Sequence, residues 1–458
     1  MKKTKILHVT PHLGGGVGRV LLNYFTKVKD DQSFVHEVAC LDYANKHAID
    51  VAKNIGLMLT DRMAGNGQQL LSMIAGADIV LIHWWNHPLL YDFLVRTVLP
   101  PSRVVMWSHI SGFHPPYVFS EKIFHYPDLF VFTTPVSFET KDAQNLSDEI
   151  KNKLRVVWST GGVEHVKDVK PYAHTGFNVG YIGTVDYCKM HPDFLNMCSQ
   201  VDIPDVKFIV CGGPKEIEIQ HEAERLGIDG KFTFTGLVSD ITKYLSAFDV
   251  FGYPLAPYHY GTCDQALAES MACGVVPVVF SNRMENHMVR DGVTGMVVNN
   301  NEEYCNAIKK LYGNKELRMH LSENAKEYAR KSFSLEMIKY EWEKVFEEIL
   351  ALPKTARKWE IDKPDADISA KDVFLESLGE YGQEFKSYCK AVSADEKKTH
   401  TKKIKELAES PIWQAQTRGT AHHYHEFFPD DDHLAVWSRL MRECEPCNKM
   451  GGRCRKIH

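Results

Sequence analysis

The chain has 458 residues, 44% hydrophobic and 25% charged, which fits two or three folded globular domains and excludes wholesale disorder, collagen and coiled coil. Its 54 basic and 59 acidic side chains leave a formal charge of -5, too balanced for the electrostatic field that non-specific nucleic-acid binding draws on. The opening MKKTKILHVT has too short an apolar run for a secretory signal, and no segment reaches the ~20 apolar residues of a membrane span. Single cysteines inside apolar runs, as at Cys40, Cys211 and Cys273, fit buried thiols in a reducing, cytoplasmic compartment, with any membrane contact peripheral.

Short β-branched runs predict strands at 5–10, 34–41, 78–84, 103–109, 128–134 and 154–159. Between them, 17–28 and 87–98 carry apolar residues at helical spacing, so residues 1–165 read as a doubly wound Rossmann-like domain. The segment STGGVEHVKDVKPYAHTG (159–176) has no sustained period and reads as a linker. The rhythm restarts with strands at 178–184, 206–212, 232–236, 249–254 and 275–280, a second α/β domain over 175–330. In open parallel sheets ligands bind at the carboxyl ends of the strands, so a cleft between the two domains is the expected site. Helical patterns follow from 303, closing with a helix over 331–352 expected to pack back on the first domain, and residues 353–458 form a mainly helical extension entered through 353–374, a polar stretch with prolines at 353 and 364 that reads as a linker. The patterning specifies no oligomeric interface.

Two segments carry the chemistry. HLGGGVGRV (12–20) brings Gly15 and Gly16 to the junction of the first strand and first helix, where bare backbone and free amides attract phosphate. A dinucleotide fingerprint would place its third glycine at Arg19, so that reading, with Asp42 as ribose acid, is weak; an unliganded tight turn is the plain alternative. In PLAPYHYGTCDQALAESMACGVVPVV (254–279), a second strand, loop and helix follow in the same order. The helix N-terminus offers amides to a diphosphate, and Glu269 can face a ribose, although a lone Glu is by default a helix-surface residue.

ALAESMACGVVPVV resembles the donor-binding helix of retaining GT-B fold glycosyltransferases of the family 4 type, whose motif runs Glu-x7-Glu and then Ala-Met-Ala-x-Gly-x-Pro-Val-Val. The resemblance extends over about 1–350 through the Gly-rich loop, GYIGTVDYCK (180–189), FIVCGGP (208–214), FTGLVSDITKYLSAFDVFGYP (234–254), DGVTGMVV (291–298) and SFSLEMIKYEWEKVFEE. It implies two Rossmann-like domains facing across a cleft. It also implies transfer of a sugar, with retention, from a UDP- or GDP-sugar to a glycan, lipid-linked or protein acceptor, with no metal and no cofactor beyond the donor. Polysaccharide biosynthesis is the setting that this suggests.

Residue by residue, the resemblance implies that Glu269 binds the ribose, that Lys189 meets the diphosphate beside Gly183 and Thr184, and that Gly15, Gly16 and Arg19 approach it from the other domain. It implies that Gly261, Thr262, Asp264, Gln265 and Ala266 present the second helix end, and that backbone near Leu237 and Val238 recognises the base. His109 falls beside the transferred sugar, with His83 a weaker candidate. The chain departs from the motif twice. The first acid of Glu-x7-Glu is Gly261, for which Asp264 is the expected substitute, and an expected Arg is Thr184, for which Arg19 or His191 could compensate. A sugar phosphorylase, an epimerase and an inactive sugar- or partner-binding module are the alternatives.

The metal-binding pattern Asp-x-Asp occurs at Asp365–Asp367 and Asp430–Asp432, both read as surface acids or a helix cap. Cys444, Cys447, Cys454 and His458 offer a zinc-like set. His422, His423 and His425, with Tyr424, Phe427 and Phe428, suggest a docking face for the core or a partner.

Overall fold

A computed structural model describes residues 3–410, 412–413 and 419–442. The first domain is a seven-stranded parallel sheet of β1 (Thr4–Thr10), β2 (Phe34–Cys40), β3 (Met58–Thr60), β4 (Ile79–Trp84), β5 (Val104–Ser108), β6 (Leu129–Phe132) and β7 (Leu154–Val156). Their order is β7-β6-β5-β4-β1-β2-β3. The second domain holds β8 (Phe177–Ile182), β9 (Val206–Cys211), β10 (Phe232–Gly236), β11 (Val250–Tyr253), β12 (Val276–Phe280) and β13 (Met296–Val298), in the order β10-β9-β8-β11-β12-β13. All pairings within both sheets are parallel. Strands buried on both faces explain why the sequence reads as continuous apolar runs rather than alternating ones. Two Rossmann-like domains are the arrangement that the GT-B resemblance implies, and a helical C-terminal region is added to them.

The helices that position the site are α1 (Gly15–Val28), α2 (Pro88–Arg96), α3 (Gln265–Cys273) and α4 (Leu335–Leu350), with α5 (Ala370–Leu378), α6 (Ala421–Phe427) and α7 (Asp432–Arg442) in the extension. Helix α3 stops where Gly274, at φ +83, supplies the left-handed cap that an L side chain rarely adopts. Helix α4 lies on the first domain: Ile338, Trp342, Val345, Phe346 and Ile349 are buried in one cluster with Leu21, Phe25, Leu81 and Trp107, and the Trp107 and Trp342 rings meet edge-on at 4.9 Å. The chain thus crosses from the first sheet to the second and returns.

The stretch 353–374, read from sequence as a linker, is tied down. Thr355–Arg357 pairs antiparallel with Leu99–Ser102, and Trp359 is buried with its indole N–H donating to Glu376 at 3.0 Å. Polarity and prolines hid this anchoring because its contacts join distant parts of the chain. Beyond it, the aromatic run docks on the first domain. His422 and His423 are buried, the rings of His423 and Phe427 lie 4.8 and 5.1 Å from that of His87 before α2, and His422 Nδ1 bonds Ser438 at 2.8 Å. The face therefore packs on the chain's own core. Among the described residues no helix is long and apolar enough to cross a membrane.

Candidate functional site

In each domain a sheet strand leads through a loop into a helix, β1 (ending at Thr10) into α1 (starting at Gly15) and β11 (ending at Tyr253) into α3 (starting at Gln265). Neither has a side-chain cap or an acidic residue in its first turn, so both leave free amides and partial positive charge at their N-termini. Gly15 has φ +60, which favours glycine, while a Cβ placed on Gly16 would meet nothing within 4 Å. Space in front of Gly16 is what close approach by a ligand requires.

The helices are joined across the cleft by polar contacts. Arg19 Nη2 of α1 donates to Glu269 Oε1 of α3 at 3.1 Å, His165 Nε2 lies 2.9 Å from that oxygen, and Gln265 Nε2 donates to it at 2.9 Å. Gln265 also accepts the Gly161 N–H at 2.7 Å and donates to the Gly162 carbonyl at 2.8 Å, and Asn23 donates to the Gly161 carbonyl at 2.7 Å. The interdomain linker is thereby threaded between the two helix ends. Glu269 is only 2% exposed, so its carboxylate is a buried acceptor rather than the helix-surface group that a lone Glu usually is. His165 escaped the sequence reading: a single histidine in an aperiodic linker gives no pattern, and its role depends on a contact to a residue 104 positions away.

Lys189 and Asp264 meet at 2.5 Å between Nζ and Oδ1, both largely buried. Burial opposes the Lys189 charge, yet Asp264 and the nearby Tyr260 and Tyr181 raise its pKa above the ordinary value. Burial likewise opposes ionisation of Asp264, and Lys189 and His259 outweigh it, leaving that carboxyl below its usual range. The second oxygen, Oδ2, is buried without a hydrogen-bond partner among the described residues, and a Cβ built on Gly261 would lie 3.2 Å from it. The free oxygen of Asp264 thus occupies the neighbourhood of the side chain that Gly261 lacks.

Thr184 Oγ1 bonds Tyr260 at 3.3 Å, and the Thr184 carbonyl accepts from Tyr181 at 2.8 Å. Gly183 lies against Tyr253. Thr262 is half-buried in the loop before α3, and Ala266 in its first turn packs against the core. Leu237 is 85% exposed just after β10, with Val238 half-buried beside it. His191 accepts the Asp193 N–H on Nδ1 at 3.1 Å and stacks on Phe280. Burial lowers its pKa, so Arg19 is the better source of the positive charge that Thr184 does not supply.

His109 follows β5, its Nε2 3.1 Å from His83 Nδ1 and its own Nδ1 buried with no partner among the described residues. Burial pushes its pKa down to about 3. A cavity of about 230 Å³ opens between the domains, lined by Ser111 and His114 from the first and by His259, Gly261, Asn282 and Arg283 from the second. At its wall His259 Nε2 faces Glu285 at 3.1 Å while Nδ1 accepts the Gly261 N–H at 3.0 Å. Burial works against protonation of His259, and Glu285 reverses the balance, raising its pKa.

His259, Asp264 and Glu285 have ligand atoms within 4.8 Å of one another, the spacing of a metal site. Lys189 and His259 already balance the two carboxylates, so the set is closed by its own ion pairs. Of the Asp-x-Asp matches, Asp365 pairs with Lys358 at 2.9 Å, and Asp431 accepts the N–H groups of His433, Leu434 and Lys371 at the start of α7. Asp42 is half-buried after β2. Cys444, Cys447, Cys454 and His458 lie outside the described residues.

Residues 164–328 match the family model described as "Glycosyl transferases group 1". The chain is similar to an uncharacterized glycosyltransferase of Methanocaldococcus jannaschii, at 29% identity over 160 residues covering 33% of this chain and 40% of the relative. It thus spans well under two thirds of that relative's length. Its fold is similar to that of Anabaena HepE in complex with UDP (TM-score 0.60, 15% identity, 76% of this chain and 100% of that one). The same holds for sucrose-phosphate synthase from Thermosynechococcus elongatus (TM-score 0.57, 14% identity, 76% and 100%).

Proposed function

We propose that this chain, whose residues 164–328 form a domain of the glycosyl transferases group 1 type, moves a sugar from a nucleotide-sugar to a glycan, lipid-linked or protein acceptor. The observation that carries the proposal is the pair of uncapped helix ends from opposite domains, bridged through Arg19 and Glu269. Breaking the anomeric bond builds negative charge on the departing phosphate oxygen, and fixed amides with a buried ammonium stabilise such charge without reorganisation. The amides at Gly15, Gly16, Gln265 and Ala266, together with Lys189, take that part, with no metal ion needed.

Glu269 accepts a ribose hydroxyl on the oxygen left over from its three donors, all of which fall on Oε1. Asp264 Oδ2 accepts from a hydroxyl of the transferred sugar in place of the carboxylate missing at Gly261. His109 stands beside the sugar, and the cavity at Ser111 and Arg283 receives the acceptor. Attack from the face that the diphosphate leaves gives retention of anomeric configuration. The work is placed in the cytoplasm, with peripheral contact to a membrane where the acceptor is lipid-linked.

A binding module without turnover is the second reading, favoured by the Asp264 carboxylate, which already neutralises Lys189. Incubation with UDP-, GDP- and ADP-sugars separates the two. Release of free nucleotide supports transfer, whereas binding with no release from any donor contradicts it.

A further inference from the structure

Four adjacent strands of the first sheet each bring one histidine to the same face. His36 on β2 is level with Ile6, two residues before His8 on β1. Val9 is level with Ile82, which sets His8 two residues before His83 on β4. His83 is level with Trp107, two residues before His109 at the end of β5. Each step moves one strand across and two residues along, and a shift of two keeps the side chain on one face. The result is a diagonal row of imidazoles running from the β2 side of the sheet to the cleft.

The contacts are head to tail. His109 Nε2 meets His83 Nδ1 at 3.1 Å, His83 Nε2 meets His8 Nδ1 at 3.0 Å, and His8 Nε2 meets His36 Nδ1 at 2.8 Å. A neutral imidazole carries one N–H and one acceptor nitrogen, so satisfying all three contacts forces the four rings into the same tautomer. Only two arrangements do this: all rings protonated on Nε2, or all on Nδ1. The row is sealed by Phe25 against His8, Tyr24 and Phe346 against His36, and Trp107 against His83 and His109. Burial lowers the pKa of every ring, that of His36 to about 4, so a resident imidazolium is disfavoured.

We propose that His36, His8 and His83 form a proton relay that sets which nitrogen of His109 carries the proton, linking the transfer cleft to the far side of the sheet. The proposal rests on the glycosyltransfer reading above. In the all-Nε2 state His109 Nδ1 is a free acceptor. When it takes the proton of the attacking hydroxyl, the Nε2 proton of His109 moves to His83 Nδ1, that of His83 to His8 Nδ1, that of His8 to His36 Nδ1, and that of His36 leaves to water. One proton enters, one leaves, and every ring ends neutral in the other tautomer. Return of a proton from His109 Nδ1 to the departing diphosphate oxygen, with uptake at His36, runs the hops backward and restores the row. The outer end is suitably placed, since His36 lines a small surface cavity of about 70 Å³ with Lys29 and Gly56. His36, His8 and His83 are positioning residues that act through His109.

The test uses the full chain labelled with ¹⁵N at histidine. The four rings are expected to share one tautomer, with scalar couplings across three N–H···N hydrogen bonds. In steady-state transfer assays, His36→Gln, which keeps a hydrogen bond but has no second ring nitrogen, is expected to lower kcat ~100-fold with KM for the donor unchanged, the low end of what positioned proton transfer supplies. His36→Ala is expected to lose the same factor and to regain most of it with added imidazole. Mixed tautomers without couplings, or full kcat in both variants, would overturn the relay. If the unaltered chain transfers no sugar from any donor, the functional reading fails, and the spectroscopic measurement still decides the row by itself.

Discussion

The two walls of the cleft handle buried titratable groups in opposite ways. The first domain keeps His8, His36, His83 and His109 neutral through burial. The second keeps its groups charged in pairs, Lys189 with Asp264 and His259 with Glu285. A row of buried neutral imidazoles can exchange protons, whereas buried paired ions hold a fixed field where leaving-group charge would develop. The difference teaches that fold symmetry between two Rossmann-like halves does not extend to their electrostatics.

Acid separates the walls most strongly. The four neutral imidazoles have depressed pKa values in the folded protein, so their contribution is fully present above the unfolded value of ~6.5 and is lost as pH falls toward their folded values. At ~1.4 kcal/mol per pH unit for each ring, denaturant titrations should show stability falling by several kcal/mol between about pH 6.5 and 5. His259 of the second domain behaves oppositely. The raised pKa of His259 gives stability that is complete below ~6.5 and is lost as pH rises through its folded pKa. Asp264, with a lowered pKa, keeps its contribution until pH falls below ~3.9. Variants His8→Gln and His259→Gln should flatten the acid and alkaline limbs respectively.

Removing one member of a buried pair comes next. Lys189→Met leaves Asp264 uncompensated and should cost ~3–5 kcal/mol in chemical denaturation, with much of that recovered when Asp264→Leu is added. A loss below ~1 kcal/mol would mean the pair is solvated as a surface pair is. Glu269→Gln retains the side-chain shape but removes the charge facing Arg19 and His165. Calorimetry should show nucleotide-sugar affinity weakened roughly tenfold, the equivalent of one good hydrogen bond. The smallest stability effect is expected at Gly16→Ala. Its Cβ meets no atom, so stability should stay within ~0.5 kcal/mol, while nucleoside diphosphate binding drops because the methyl group stands where phosphate approaches.

The fold was legible where a strand formed a sustained β-branched run. KILHVT lies in β1 and DVFGYP contains β11. By contrast, β3 has three residues in an unremarkable stretch and left no pattern. The two helix ends were visible because glycine and turn residues mark local backbone geometry. The contacts that complete the site were not: His165 reaches Glu269 only after the domains come together, and the pairing of Lys189 with Asp264 spans 75 positions. One histidine in or directly after each of four strands was open to view, but sheet order and register, which align them, are properties of the folded chain.

A crystal structure with a bound nucleoside diphosphate tests the central claim most directly. The account predicts the diphosphate seated between the Gly16 amide and the first-turn amides of α3, with Lys189 turned from Asp264 toward a phosphate oxygen. A diphosphate bound by one domain alone, out of reach of the Gly-rich loop, would contradict it.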